Sequence, residues 1–146
     1  MSGGPYGRGK APARACLPLA SWPEMDLRLW RAACEPVDLL ALEDGGSRAQ
    51  HARASNDKAV KGYGRWLTFL AVRDAEAVSQ SPEARITPER VCAYVGELQA
   101  LGNGSGTILA RLQELGEVAK VMGPASDWSF INRIASKIRS RHRPVR

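Results

Sequence analysis

Apolar residues recur at helical spacing along most of this chain, and this periodicity constrains the fold more than any other feature. The clearest case is ITPERVCAYVGELQALG, where Thr87 and Pro88 form a typical helix start and Gly102 a typical stop. Between them runs one stripe spaced by three and four residues: Val91, Tyr94, Val95, Leu98 and Leu101. No segment shows the strict alternation of a half-buried strand. The sequence therefore predicts an all-α fold.

Four further segments carry the same periodicity, so we predict a compact bundle of about five helices. The first starts at Ser21, which forms a capping-box pattern with Glu24, the second starts at Ser55, and Asp127 caps the last. Residues 42–54 read as a loop. The segment SGTILARLQELGEVAKVMG has a long stripe: Ile108, Leu112, Leu115, Ala119 and Met122.

Two glycines interrupt the predicted second helix. Gly62 and Gly64 each weaken a helix by about 1 kcal/mol relative to alanine. Their presence suggests that another part of the chain approaches the helix closely at this point.

The chain has 146 residues, which is enough for one domain. Residues 1–18 are rich in Gly, Pro, Ala and basic residues and are predicted to be disordered, and residues 19–143 form the helical domain. No apolar run approaches the roughly 20 residues that cross a bilayer, and no secretory signal is present, so we expect no membrane partner. Three cysteines without CxxC spacing indicate reduced thiols in the cytoplasm, with Cys92 filling the core.

The net charge of +6 is concentrated at the C-terminus. Residues 133–146 hold six Lys and Arg and no acid, whereas the remaining residues carry fifteen bases and fifteen acids. Arg133, Lys137 and Arg141 are spaced by four and form a basic ridge on the last predicted helix. Such a ridge favours an anionic partner; the alternative is a solubilising tail, which fits only the residues after about 140.

A second basic face lies on the predicted second helix. Lys58, Lys61 and Arg65 fall within about 60° of one another on a helical wheel, opposite its apolar face. A solvated surface explains this pattern equally well. The glycine-rich stretch GNGSG, residues 102–106, precedes another helix and resembles a phosphate cradle. Because a helix rather than a strand precedes it, a plain helix–helix turn is the better interpretation for nucleotides, although a DNA phosphate could use the same donors.

Residue types typical of catalysis do not cluster. His51 and His142 have no partner at ligand spacing, and no Ser-His-Asp, zinc or paired-carboxylate pattern is present. Tyr63 and Tyr94 lie on apolar faces typical of a core. We therefore expect no catalytic residues, no metal, no cofactor and no small-molecule substrate.

The order of these helices resembles the N-terminal, SAM-like core-binding domain of tyrosine recombinases, the phage-integrase family. The resemblance runs from about residue 17 to residue 146 and includes KAVKGYGRWLTFL and RITPERVCAYVGELQALGNGSG. Four elements carry it: the helix with Tyr63, Trp66 and Phe69, the helix start at 86–89, the helix start at 107–111, and the C-terminal pattern DW…I…IR…RPV.

This resemblance implies a helical domain that clamps one side of a recombination half-site on double-stranded DNA. In the family, a second domain carries the tyrosine nucleophile. Because this chain ends at Arg146, we expect residues 144–146 to begin the linker to that domain and the chain to be a non-catalytic truncation or fragment. The implied function is DNA binding in site-specific recombination and DNA integration.

The resemblance also implies a set of DNA-contacting residues. Most would bind phosphate, and Lys61 or Arg65 would read bases. Arg111 also fits a second position, over the core with only its head exposed. The complete set is Lys58, Lys61, Arg65, Ser105, Thr107, Arg111, Arg139 and Arg141.

Two other functions stay open. The first is a helical protein-interaction module that dimerises with, or inhibits, intact recombinase protomers, because a helical bundle serves both uses. The second is an enzyme with an unrecognised site, which is the weakest reading because no titratable cluster is visible in the sequence.

Overall fold

The computed structural model describes residues 16–36 and 46–141. These residues form an all-α fold, as predicted. No strand occurs within these two ranges. The helices are a 3-10 turn Leu19–Ser21, α1 Glu24–Ala33, α2 Arg53–Arg73, α3 Ala75–Val78, α4 Pro82–Arg85, α5 Pro88–Ala100, α6 Ser105–Met122 and α7 Ser129–Arg141. The five long helices match the five predicted ones, whereas the single-turn helices α3 and α4 were not predicted.

Some sequence predictions fall outside the described residues. They concern residues 1–15 of the predicted disordered segment, residues 42–45 of the predicted loop, His142 and the linker residues 144–146. The described end of that N-terminal segment differs from the prediction. Leu17 is buried, and its backbone N–H donates to the Gly64 carbonyl over 3.2 Å, so the packed chain begins before residue 19.

The starts of the first two helices differ from the sequence prediction. Ser21 lies in the 3-10 turn, and α1 begins after Pro23 without any side-chain cap, because proline fixes the backbone at that point. Helix α2 begins at Arg53 instead of Ser55, so the predicted loop ends at residue 52.

The predicted ends of α5 are confirmed in detail. The Thr87 hydroxyl accepts from the Arg90 backbone N–H over 3.2 Å, and Pro88 occupies the first helical position. Gly102 adopts a positive φ of 85°, and the N–H of Asn103 donates to the Leu98 carbonyl. These features form a Schellman motif, which requires a residue that tolerates a left-handed backbone.

The core lies where α2, α5 and α6 meet. Trp66 and Tyr94 are fully buried, with ring centroids 5.3 Å apart in an edge-to-face arrangement. The predicted stripe of α6 is buried along its whole length, as expected. Cys92 is an exception, since it is exposed on the outer face of α5 and does not fill the core.

A buried ion pair, which the sequence did not predict, joins α1 to the segment between α2 and α5. Arg85 Nη1 donates to Asp26 Oδ2 over 2.6 Å, and both side chains are almost completely buried. The remaining Arg85 nitrogens donate to backbone carbonyls of Ala77, Val78 and Gln80.

Tyr63 completes this network from α2. Its hydroxyl donates to the same Asp26 oxygen over 2.6 Å. Burial raises the pKa of Tyr63 well above its usual value, and the Asp26 carboxylate raises it further, so the phenol keeps its proton. The network therefore holds α1, α2 and the α3–α4 segment together.

No helix in the described parts of the chain is both long enough and apolar enough to span a bilayer.

We predict that Arg85→Ala destabilises the protein strongly. Removing one partner of a buried pair leaves the Asp26 carboxylate without compensation, at a cost of about 3–5 kcal/mol. Arg73→Ala is the matched control, because the Arg73–Glu97 pair is exposed on the arginine side and such a pair contributes about 0–1 kcal/mol. Urea denaturation followed by circular dichroism measures both changes, and equal losses in the two variants would contradict the prediction.

Candidate nucleic-acid interface

Helix α2 has an apolar face and a basic face, as the sequence predicts. Tyr63, Leu67 and Leu70 are buried in the core. Lys58 and Lys61 are exposed, and the Arg65 side chain is 28% exposed. Neither lysine forms an ion pair within the described residues. This face of α2 therefore presents two exposed lysines and one partly buried arginine.

Helix α6 lies directly against α2 at Gly62. A Cβ atom at Gly62 would collide with the Glu114 side chain, including its Cβ. The expected close approach at this glycine is therefore present, and Glu114 is the group that occupies the space. Gly64 has a comparable role, because a Cβ there would collide with the backbone oxygen of Leu17.

Glu114 brings arginines from both helices together. Its Oε1 lies 3.2 Å from Arg111 Nη1 on α6 and 4.0 Å from Arg65 Nη1 on α2. The Glu114 residue is only 2% exposed. Burial raises the pKa of Glu114, while the positive charges of Arg111, Arg65 and Lys58 act against this rise. Two arginines thus share one carboxylate.

Arg111 is mostly buried. Its side chain is 17% exposed, its Nε is buried without a hydrogen-bond partner among the described residues, and its Nη1 faces Glu114. Both Arg65 and Arg111 are therefore partly neutralised, which the sequence reasoning did not anticipate.

Cys16, in the segment before α1, contacts α2 close to Arg65 and Glu114. Its Sγ donates to the Lys61 carbonyl over 3.0 Å. Burial raises the pKa of Cys16, and the nearby charges of Arg65, Lys61 and Arg111 oppose this rise. Arg65 and Arg111 therefore act on both Cys16 and Glu114, which places the thiol and the carboxylate in one region of the molecule.

Thr107 extends this region along α6. It is exposed and lies one turn before Arg111, about 40° away on the helical wheel. We name the surface formed by Lys58, Lys61, Arg65, Thr107 and Arg111 the α2–α6 strip. The first turn of α6 lies at its end, and Gly104 at the cap position provides no side chain for the free N–H groups.

Three predicted DNA contacts lie outside the α2–α6 strip. Ser105 is about 120° from Arg111 around α6, because six residues separate them. Arg139 lines a groove between α6 and α7. Arg141 is exposed in the last turn of α7. The predicted set therefore does not form a single continuous surface.

Within residues 16–36 and 46–141, no group of three or more His, Cys, Asp or Glu side chains is arranged so that it could hold a metal ion. Tyr63 and Tyr94 are buried in the core, as predicted. Burial also raises the pKa of Tyr94 above its usual value.

Glu114 is the residue of this site that sequence reasoning missed. Glu114 precedes Leu115 on a helix whose other buried residues are apolar, so the sequence pattern did not indicate a buried carboxylate at this position. The available signals were the i, i+3 spacing from Arg111 and the unexplained glycine at position 62.

Comparison with known proteins gives no further assignment. No protein-family model, curated protein or solved structure matches this chain.

We predict that Gly62→Ala destabilises the protein, although alanine favours helices. The added Cβ must displace Glu114 or separate α2 from α6, at a cost of about 1–3 kcal/mol. Gly96→Ala is the matched control, because a Cβ at Gly96 on α5 meets nothing within 4 Å and should stabilise the helix by up to about 1 kcal/mol. Thermal unfolding of both variants measures the difference. Stabilisation by both substitutions would show that α2 and α6 are not in tight contact at Gly62.

Proposed function

We propose that this chain binds double-stranded DNA as a non-catalytic domain of the tyrosine-recombinase core-binding type, with a SAM-like arrangement of helices. The α2–α6 strip carries the proposal. Arg65 and Arg111 lie within 4.0 Å of a single buried carboxylate, Glu114, Lys58 also acts on its pKa, and Lys61 lies on the same face of α2, so the strip itself holds four cations and one carboxylate. The family assignment rests on the sequence resemblance, and the DNA-binding assignment rests also on this charge arrangement.

The members of the α2–α6 strip suit different contacts with a DNA backbone. Lys58 and Lys61 are exposed point charges on long side chains, so they can follow phosphates along one strand. Arg65 and Arg111 lie beside Glu114, at 4.0 Å and 3.2 Å from its Oε1, so a phosphate would have to compete with this carboxylate for their guanidinium groups. Thr107 adds a hydroxyl beside the N-terminal end of α6, where a helix favours anions.

Contacts of this kind supply affinity and register more than sequence preference. Phosphate neutralisation releases counterions, so binding should weaken steeply as salt increases. For the 146-residue chain tested alone, we expect affinity in the micromolar range or weaker at physiological salt, which is typical of non-specific DNA binding.

We predict that neutralising the exposed end of the strip lowers the salt dependence of DNA binding. The variant Lys58→Ala, Lys61→Ala, Arg65→Ala should reduce the slope of log affinity against log salt by roughly 0.9 per lost phosphate contact. Fluorescence anisotropy with a labelled duplex at several salt concentrations measures this slope.

The matched control for this experiment is Lys120→Ala. Lys120 is exposed on α6, about 180° around the helix from Arg111, so its loss should leave the slope almost unchanged. An unaltered slope in the triple variant, or an equal reduction in Lys120→Ala, would exclude the α2–α6 strip as the DNA surface.

We predict that Glu114→Gln tightens DNA binding at neutral pH. The substitution removes the carboxylate that competes with phosphate for Arg65 and Arg111. Because burial raises the pKa of Glu114, the wild-type carboxyl takes up a proton as the pH falls. Wild-type affinity should therefore approach that of the variant as the pH is lowered, starting at a higher pH than an ordinary glutamate would require, while Glu114→Gln shows no such change.

Glu117→Gln is the matched control for this prediction. Glu117 lies on the same helix, but its Oε1 pairs with Arg48 Nη1 over 3.0 Å instead of with a strip cation. DNA titrations at several pH values compare the three proteins. Weaker binding by Glu114→Gln, or an equal change in Glu117→Gln, would contradict the prediction.

A further inference from the structure

The segment that precedes α1 packs against α2 at the edge of the α2–α6 strip. The Cys16 Sγ donates to the Lys61 carbonyl over 3.0 Å, and the Leu17 backbone N–H donates to the Gly64 carbonyl over 3.2 Å. A Cβ at Gly64 would collide with the Leu17 backbone oxygen, so the two backbones lie in close contact. The chain therefore enters the packed domain at a fixed point beside Lys61.

This contact lies on the side of α2 that faces away from α6. Gly62 and Gly64 are two residues apart, so they lie about 160° apart around the helix. Gly62 faces Glu114 of α6, whereas Gly64 faces the segment before α1. Lys61 and Arg65 fall in the arc between the two glycines, each about 60° from one of them and about 100° from the other. The cationic face of α2 is therefore bordered by α6 on one side and by this segment on the other.

The residues that precede Cys16 carry positive charge without acids. We name residues 1–15 the N-terminal arm. It contains Arg8, Lys10 and Arg14, and the first acid of the chain is Glu24. Cations that have no acidic neighbours in the sequence favour a polyanionic partner, because binding releases the counterions of that partner.

Covalent geometry keeps the cations of the N-terminal arm within reach of the strip. A chain spans at most about 3.6 Å per residue. The Cα of Arg14 therefore lies within about 7 Å of the Cα of Cys16, that of Lys10 within about 22 Å and that of Arg8 within about 29 Å. These limits hold for every conformation of the arm. A DNA strand presents a phosphate about every 3.4 Å along the helix axis, so all three cations can meet phosphates of a duplex that lies on the strip.

From these observations we propose that the N-terminal arm binds the same DNA duplex as the α2–α6 strip. Arg14 contacts phosphate close to the contacts of Lys61, and Lys10 and Arg8 neutralise phosphates beyond the edge of α2 that faces away from α6. Because the arm is joined to the domain at Cys16, its charges have a high effective concentration at a duplex held by the strip. This inference rests on the proposed DNA binding, and it adds cations that the family resemblance does not assign.

The test is the salt dependence of DNA binding by the full chain. The variant Arg8→Ala, Lys10→Ala, Arg14→Ala should lower the slope of log affinity against log salt by roughly 0.9 per lost phosphate contact, and by up to roughly 2.7 in total. The variant Arg8→Lys, Arg14→Lys should keep the wild-type slope, because lysine also neutralises phosphate. Fluorescence anisotropy with a labelled duplex measures all these slopes.

The matched control removes the same number of arginines and lysines from other surfaces. It is Arg28→Ala, Arg31→Ala, Lys120→Ala. The two arginines are exposed on α1 and the lysine is exposed on α6, and none of them belongs to the α2–α6 strip. The slope of this control should stay close to that of the wild type. An equal reduction in the control, or an unchanged slope in the alanine variant of the arm, overturns the proposal.

Comparison with the strip variant Lys58→Ala, Lys61→Ala, Arg65→Ala separates this inference from the proposed function. A lower slope in the strip variant alone leaves DNA binding by the strip intact and overturns the role of the arm. A lower slope in the arm variant alone excludes the strip and overturns the shared interface. Combining both sets of substitutions should add the two reductions, because the two sets contact different phosphates of one duplex.

Discussion

The close contact of α2 with α6 at Gly62 is the constraint on which the rest of the structure depends. The contact lets the two long helices share the core that contains Trp66, and it places Glu114 against α2. Any larger residue at position 62 would force the helices apart or expel this carboxylate. Because Arg65 and Arg111 converge on Glu114, the same glycine also determines where the positive charge of both helices is concentrated.

Glu114 involves a compromise between stability and surface charge. Burying a carboxylate is costly unless it is paired, and burial raises its pKa in spite of two neighbouring arginines. Nearby, the Tyr94 hydroxyl and Arg111 Nε are buried without a hydrogen-bond partner among the described residues. This region is therefore not optimised for packing alone. It brings two guanidinium groups to one buried carboxylate beside two lysines that form no ion pair among the described residues.

Local features of the sequence predicted local features of the structure. Thr87, Pro88 and Gly102 define α5 because caps depend on a few neighbouring residues. The start of α1 was misplaced because the proline at position 23 outweighs a capping-box pattern. The ion pair of Asp26 and Arg85 was not predictable, since burial of two charges depends on where distant segments meet. For the same reason the sequence located Lys58, Lys61 and Arg65 on one face but not the carboxylate that faces Arg65.

Gly62 on α2 and Gly116 on α6 have opposite surroundings. At Gly62 the absent side chain is replaced by Glu114 from within the chain, whereas at Gly116 the space stays open to solvent. Gly116 lies about 140° around α6 from Arg111, so the groove and the α2–α6 strip face different directions. The cations of the strip and the two cations that line the groove, Lys120 and Arg139, therefore belong to separate surfaces.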